Sequence, residues 1–354
     1  MNKNILVTGC AGFIGSNYVY YYLDKYPDRS IIGLDLLTYC GNLENLSKLT
    51  TDQKKRFTFI KGDICNYKLV NNILKDHSIK KIIHFAAESH VDRSIHDPKK
   101  FIRTNILGTC NLLMTAKENW FIDNKWRNDV KFVQISTDEV YGPLGEKGNF
   151  NETSPINPHN PYSSSKAAAD IIVKSYFDTY KMPINIIRGS NCYGSYQFPE
   201  KLIPLIIYNA TNLNPIPIYG DGRQIRDWLY FKDYCKAVDL VSEKGLIGEI
   251  YNASGNNETE NIEIAGLILS ILREITKRKE INISLIKHIA DRLGHDRRYG
   301  LNSNKIQNEL CWKPEMKLNE GLIYTVNWYI ENMKWLENVI NRSYMNFYKK
   351  NYKF

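Results

Sequence analysis

Residues 4–15 read NILVTGCAGFIG, and this run decides the fold. Ile5, Leu6 and Val7 are apolar at successive positions, as a strand buried on both faces requires. Gly9, Gly12 and Gly15 follow at once in the spacing GxxGxxG, and Phe13 and Ile14 open a helical pattern that reaches about residue 26. Glycines at these points permit a tight turn and a close backbone approach to a pyrophosphate. The anion then rests on the helix N-terminus, where unpaired N–H groups and the dipole favour negative charge. A glycine triplet alone says little. Here the next apolar run, 30–35, ends at Asp35, twenty residues beyond Gly15, where a carboxylate can accept ribose hydroxyls. That carboxylate repels a 2′-phosphate and no arginine stands beside it, so NAD is favoured over NADP.

Outward from this turn, apolar β-branched runs at 4–8, 30–35, 57–61, 80–85, 130–136 and 183–188 alternate with helical stretches near 13–26, 66–77, 98–119 and 162–180. Such alternation predicts an α/β fold, a doubly wound parallel sheet of Rossmann type with helices on both faces. Asp63 and Ile64, and the run AAES from Ala86 to Ser89, follow the next two strands, at the edge where such a sheet binds ligand. After about residue 190, prolines at 199, 204, 215 and 217 break the rhythm. Residues 1–190 are therefore expected to form the NAD-binding domain, joined by parts of 233–255, and residues 191–354 mainly a smaller substrate-binding lobe. The aromatic and basic tail, 334–354, is expected to pack as a terminal helix.

The 354 residues exceed what one core usually holds, and the apolar fraction of 43% suffices for packing. No long uncharged apolar window and no signal segment is evident, so a cytoplasmic protein without membrane contact is expected. The seven cysteines are scattered, without a CxxC pair, and read as reduced thiols. None of the seven histidines stands in a metal-binding pair, so no metal is expected. The formal charge of +9 suits an anionic partner, yet it is spread out. Only DRLGHDRRY at 291–299 is locally basic, and its own aspartates make it read as a phosphate pocket rather than a nucleic-acid stripe.

Two clusters carry chemistry. Tyr162 and Lys166 in PYSSSK share a helix face one turn apart, and an ammonium beside a phenol is expected to lower its pKa so that Tyr162 serves as a base. The fifth strand ends in ISTDEVYG, which delivers Thr137, Asp138 and Glu139 to the same sheet edge. Adjacent carboxylates push each other's proton affinities apart, which suits one acid and one base. Each cluster alone has a plain reading, an exposed helix pair or a solvated acidic turn; their company with the glycine turn gives them weight.

Together TGCAGFIG, AAESHVDRS, STDEVYG, PYSSSKA, FPEKLIPLII, IYGDGRQIRDWLY and ADRLGHDRRYGLN resemble the dTDP-glucose 4,6-dehydratase family of extended short-chain dehydrogenases. The likeness runs from the first strand to about Trp328. It implies an NAD-dependent hydro-lyase of deoxysugar biosynthesis in which Tyr162, helped by Lys166, deprotonates the C4 hydroxyl while hydride leaves C4, Thr137 orients that hydroxyl, Glu139 removes the C5 proton and Asp138 protonates the departing C6 hydroxyl. It further implies that Phe13, Ile14, Asp35, Asp63, Ile64, Ala86, Ala87, Ser89, Thr104, Tyr162, Lys166 and Asn191 lie at the cofactor. Ser89, Thr137, Asn191, Lys201, Leu202, Tyr219, Arg226, Asn261, Asp291, Arg292 and His295 would face the nucleotide sugar. A homodimer through helices near 103–118 and 162–180 is implied as well. Cys10 departs from a common glycine of the family's phosphate loop, which a small side chain should tolerate because the three spaced glycines remain; Cys192 and Ser195 depart from the usual asparagine and proline, which bears on substrate preference and not on reaction type. The rivals are a UDP-glucose 4,6-dehydratase, a 4-epimerase or decarboxylase on the same scaffold, and a non-catalytic NAD-binding protein; Asp138 and Glu139 speak against the last three.

Overall fold

The structure, a computed structural model, describes residues 3–340 together with 344, 345 and 348. Seven strands make its central sheet: β1 (Lys3–Thr8), β2 (Arg29–Asp35), β3 (Phe57–Lys61), β4 (Lys81–His84), β5 (Lys131–Thr137), β6 (Ile184–Gly189) and β7 (Ile250–Ala253). Their spatial order is 3-2-1-4-5-6-7, with every neighbouring pair parallel. Parallel neighbours cannot be joined by hairpins, so the chain crosses over through helices. Helices α1 (Phe13–Lys25) and α5 (Phe231–Lys244) cover one face; α2 (Tyr67–Asp76), α3 (Thr109–Trp120) and α4 (Pro161–Tyr180) cover the other. Burial on both faces explains why β5 is buried at every position from Lys131 to Ser136. The winding reverses between β1 and β4, and a crevice opens there beyond the carboxyl ends of the strands.

The helical stretch read near 98–119 is not uniform. It runs from Pro98–Phe101 through a π-helical Ile102–Gly108 into α3. The wider turn carries Asn105, whose Oδ1 accepts from Glu88 N at 2.8 Å and whose Nδ2 donates to Glu88 O at 3.0 Å and Ser165 Oγ at 2.8 Å. The loop after β4 is thereby tied to α4.

Beyond β6 the chain enters a lobe in which Asn191–Tyr193, Ile225–Tyr230 and Glu258–Glu260 form a three-stranded sheet, and Ile216–Tyr219 pairs with Ile286–Ile289. Helices Leu202–Thr211, Asn261–Thr276 and Leu318–Glu331 close a second core around Ile206, Ile268 and Leu322. Helix α5 and strand β7 return to the large sheet. Within the tail read as a terminal helix, Met333–Val339 is helical and buries Trp335, Leu336 and Val339; beyond residue 340, all but 344, 345 and 348 lie outside the described residues. Among the described residues no helix is long and apolar enough to cross a membrane.

Candidate active site

A cavity of about 290 Å³ lies along the carboxyl edge of the sheet. Its floor is backbone. Gly9 has φ +70°, and a Cβ there would stand 2.6 Å from Ala86 N; a Cβ on Gly15 would stand 2.1 Å from Gly9 O. Any side chain at these two positions forces β1 away from β4, or α1 away from its own turn. Gly12 caps α1 with extended backbone and no side-chain cap, which leaves the first-turn amides to an anion. Phe13, Ile14, Asp35, Asp63, Ile64, Ala86, Ala87, Ser89, Thr104, Tyr162, Lys166 and Asn191 all line this cavity. Asp35 Oδ2 accepts from Ala11 N at 2.9 Å and Oδ1 from Leu37 N at 2.8 Å, so the carboxylate fixes the glycine turn and keeps further lone pairs for a ribose. Burial pushes its pKa up from the usual carboxylate range. Asp63 is held by Cys65 N at 2.8 Å and by Arg103 Nη2 at 2.8 Å. A side-chain-free cradle at a helix N-terminus, with a carboxylate at the second strand end, fits a dinucleotide.

The reactive groups gather at the far end of the cavity. Thr137 closes β5, and its hydroxyl caps the turn Asp138–Tyr141, accepting from Glu139 N at 3.3 Å and donating to Asp138 Oδ1 at 3.1 Å. Asp138 is 2% exposed, and its Oδ2 has no hydrogen-bond partner. Burial first, and then the Glu139 carboxylate, push its pKa up to about 8. Near neutral pH it is a protonated acid beside Glu139, whose Oε2 accepts from Asn160 Nδ2 at 3.5 Å.

Asn160 caps α4 and Pro161 opens it, which aims Tyr162 and Lys166 into the cavity. The i, i+4 spacing predicts a lowered Tyr162 pKa, and the structure reverses this. Burial and the Glu139 carboxylate push the phenol up, while Lys166 Nζ donates to Ile135 O at 2.6 Å. One of the lysine's three N–H donors is thus taken by the strand. Burial also brings the Lys166 pKa down to about 8.

A second cavity of about 150 Å³ adjoins the first, with Glu139, Asn191, Cys192, Gln197, Glu200 and Lys201 in both walls. Leu202, Tyr219, Arg226, Asn261, Arg292 and His295 line only this one; Ser89 and Thr137 line only the larger. Asp291 lines neither, and instead holds His295 Nδ1 at 2.6 Å. Burial and the guanidinium groups of Arg292 and Arg226 bring the His295 pKa down to about 3. Arg226 is 5% exposed and donates to Ile225 O at 2.8 Å and Asp296 O at 2.9 Å. Among the described residues no carboxylate forms an ion pair with it. The Arg226 guanidinium also lies over the Tyr299 ring, 4.5 Å from the centroid; a buried cation without an ion pair is costly, and a phosphate anion would offset that cost. Arg292 Nη1 lies 3.7 Å from Asp92 Oδ1, and its buried Nε has no partner. Asn191 Oδ1 and Asn261 Oδ1 are likewise buried and unpartnered.

Several lining residues escaped the sequence reading. Glu200 is 4% exposed, accepts from Arg93 Nε at 2.9 Å, and has its pKa pushed up by burial. Glu88 is 2% exposed, with Lys100 Nζ at 3.5 Å. Both stand inside runs quoted for the resemblance, AAESHVDRS and FPEKLIPLII, and an acid set among small or apolar residues was the available signal. Phe198 and Tyr234 offered none, since each reads as core.

An all-parallel sheet of this order, with a glycine turn at its reversal and a Tyr-x-x-x-Lys helix over its carboxyl edge, defines an enzyme of the extended short-chain dehydrogenase class. Residues 6–325 match the family model described as GDP-mannose 4,6 dehydratase. The dTDP-glucose 4,6-dehydratase of Xanthomonas campestris is 45% identical over 345 residues, covering 96% of each chain. The Bacillus anthracis dTDP-glucose 4,6-dehydratase, solved in complex with NAD, is 43% identical with a TM-score of 0.84, over 95% of this chain and 99% of that one. The Streptomyces venezuelae dTDP-glucose 4,6-dehydratase, solved with NAD and TYD bound, is 41% identical with a TM-score of 0.87 over the same shares, 95% and 99%. The chain belongs to the dTDP-glucose 4,6-dehydratase family.

Proposed function

We propose that the chain is an NAD-dependent hydro-lyase that converts dTDP-glucose to dTDP-4-keto-6-deoxyglucose. The observation that carries this reading is the carboxyl pair where the two cavities meet: Asp138 buried and protonated, Glu139 beside it in both walls. Elimination of water across C5 and C6 needs a base for the C5 proton and an acid for the C6 hydroxyl; epimerisation at C4 would use Tyr162 and Lys166 and need no carboxyl pair.

NAD, when bound along the larger cavity, supplies a hydride acceptor and donor for the sugar and a cationic ring that favours the Tyr162 phenolate. Gly9, Gly12, Phe13, Ile14 and Gly15 would hold its pyrophosphate, Asp35 a ribose, and Asp63, Ile64, Ala86, Ala87, Ser89 and Thr104 the rest. Tyr162 takes the C4 hydroxyl proton while Thr137 orients that hydroxyl, and the Lys166 ammonium lends positive charge to the same end of the cavity. The resulting C4 ketone makes the C5 proton acidic, and Glu139 removes it. Asp138 gives its proton to the C6 hydroxyl, which leaves as water; the hydride taken from C4 would then end at C6 and a proton at C5, which gives the saturated 4-keto-6-deoxy sugar. Arg226 and Arg292 hold the diphosphate, with Asn191, Lys201, Leu202, Tyr219, Asn261 and the Asp291–His295 segment around the nucleotide and sugar.

The exposed apolar side chains of Ile102, Leu107, Met114 and Ile171, on the helices near 103–118 and 162–180, support a homodimer through those faces. Seven free cysteines suit a cytoplasmic enzyme.

With dTDP-glucose deuterated at C4, the product is expected to have lost one water and to carry deuterium at C6, with solvent supplying the C5 hydrogen. UDP-glucose under the same conditions tests the nucleotide. Glu139→Gln should still oxidise C4 and accumulate reduced cofactor, with turnover down by about 10²–10⁴. Deuterium at C4 of an epimerised sugar would overturn the reading.

A further inference from the structure

The phosphate-binding turn is held from the far end of the chain. Ala11, inside the glycine turn, has both backbone groups engaged: its N–H donates to Asp35 Oδ2 at 2.9 Å, and its carbonyl accepts from Asn42 N at 3.0 Å and Asn45 Nδ2 at 2.8 Å. Asn45 is 1% exposed, and its other amide atom, Oδ1, accepts from Trp335 Nε1 at 2.9 Å. One side-chain amide thus bridges the turn to the C-terminal helix Met333–Val339. The same two segments meet twice more, at Lys48 Nζ with Asn332 Oδ1, 2.8 Å, and at Asn338 Nδ2 with Glu44 Oε1, 3.1 Å. Between Asp35 and Asn45, the residues Leu36, Thr38, Cys40 and Gly41 line the cofactor cavity.

We propose that Asn45 and Trp335 are positioning residues for the dinucleotide, and that the C-terminal helix acts through them as a clamp on the phosphate turn. The physical ground is the burial of the bridge. A buried amide satisfied at both ends has one orientation, and removing either partner leaves a donor or acceptor unpaired in apolar surroundings. Trp335 is itself locked by ring contacts with Tyr196 at 5.7 Å and Trp328 at 5.1 Å between centroids, so the indole N–H cannot follow a drifting loop. The turn is held at Ala11, between the cavity-lining Gly9 and Gly12, through an aromatic cluster of the second lobe. NAD retention is thereby coupled to the tail, over a distance in sequence of 290 residues.

The inference rests on NAD as the occupant of the larger cavity, so the test begins with NAD affinity and release for the wild-type protein. Trp335→Phe keeps an aromatic ring in the cluster and removes the N–H together with part of the indole. NAD is expected to leave about fivefold faster, the effect of one net hydrogen bond, while dTDP affinity stays unchanged. Asn45→Ala should give at least that change, and Asn45→Asp, which keeps the acceptor for Trp335 and loses the donor to Ala11, should resemble Asn45→Ala. Adding Trp335→Phe to Asn45→Ala should add nothing to NAD release, because the bridge is already cut. Equal weakening of dTDP and NAD, or additive effects in the double variant, would mean general loss of structure and overturn the clamp. NAD release at the wild-type rate in Trp335→Phe and Asn45→Ala overturns it also. A wild-type protein without NAD affinity overturns the cofactor reading and the clamp with it.

Discussion

The two cavities are built from different material. The larger is made of turns that follow strand ends, and its shape depends on what is absent: side chains at Gly9 and Gly15. The smaller is made of long side chains from scattered elements, Arg226 on a strand, Arg292 and His295 in a loop, Asn261 at a helix start; Arg226 reaches Asp296 O and Arg292 lies against Asp92, each far away in sequence, while His295 is held by nearby Asp291. A backbone cavity tolerates no substitution at its few critical points and is indifferent elsewhere. A side-chain cavity can be tuned one residue at a time. Placing the cofactor in the first and the variable nucleotide sugar in the second matches this division, since the cofactor never changes and the sugar differs between relatives of one scaffold.

The contrast breaks most sharply at Gly15. Gly15→Ala places a methyl 2.1 Å from Gly9 O, so the turn and α1 must part. Overpacking of this kind costs about 1–3 kcal/mol or more, and here it falls on the anion site. NAD affinity, measured by calorimetry, should drop about 100-fold, with dTDP affinity within about twofold of wild type. A comparable loss of both ligands would show that the cavities are not separable.

Arg226→Lys sharpens the other side with a smaller effect. Lysine keeps the charge and loses the planar fork that reaches Ile225 O and Asp296 O while facing the cavity. Affinity for dTDP is expected to fall about tenfold, with NAD unaffected, the worth of one or two charged hydrogen bonds. Unchanged dTDP affinity would remove Arg226 from the diphosphate site.

This division also explains what could be read in advance. Backbone requirements leave local marks: glycines at fixed spacing, an aspartate closing the second strand, apolar runs whose ends, at Thr8, Asp35 and Lys61, fall within a residue of the strand ends observed. The residues proposed to react could be picked out because Asp138 and Glu139 directly follow a strand end, and Tyr162 and Lys166 share one helix face. What stayed hidden depends on tertiary neighbours. That Lys166 would donate to Ile135 O turns on where β5 lies against α4. The π-helical turn at Ile102–Gly108 has no local signal, and Glu200 gained its place only through Arg93, 107 residues away.

The remaining test is the pH dependence of Asp138, which lines the larger cavity beside the shared Glu139. Its pKa in the folded chain is raised to about 8, against about 3.9 for a free side chain. Between these values the folded state keeps a proton that the unfolded state has released. The folded state therefore loses stability as pH rises from about 4 to about 8, and the slope vanishes above that, where both states are ionised. Asp138→Asn has no such proton, so its melting temperature relative to wild type should climb with pH through this window and then level off. Activity should follow the same proton: kcat falls above about pH 8 as Asp138 ionises and can no longer protonate the C6 hydroxyl. Lys166, brought down to about 8, loses its charge in the same range and steepens that limb. The two are told apart by the melting curves, because a lysine with a lowered pKa binds its proton more weakly in the folded state than in the unfolded one, and so stabilises the fold as pH rises towards the ordinary lysine value of about 10.4. A constant difference in melting temperature between Asp138→Asn and wild type from about pH 5 to about pH 9 would mean that Asp138 is already ionised near neutrality, and the acid of the elimination would have to be sought elsewhere along the cavities.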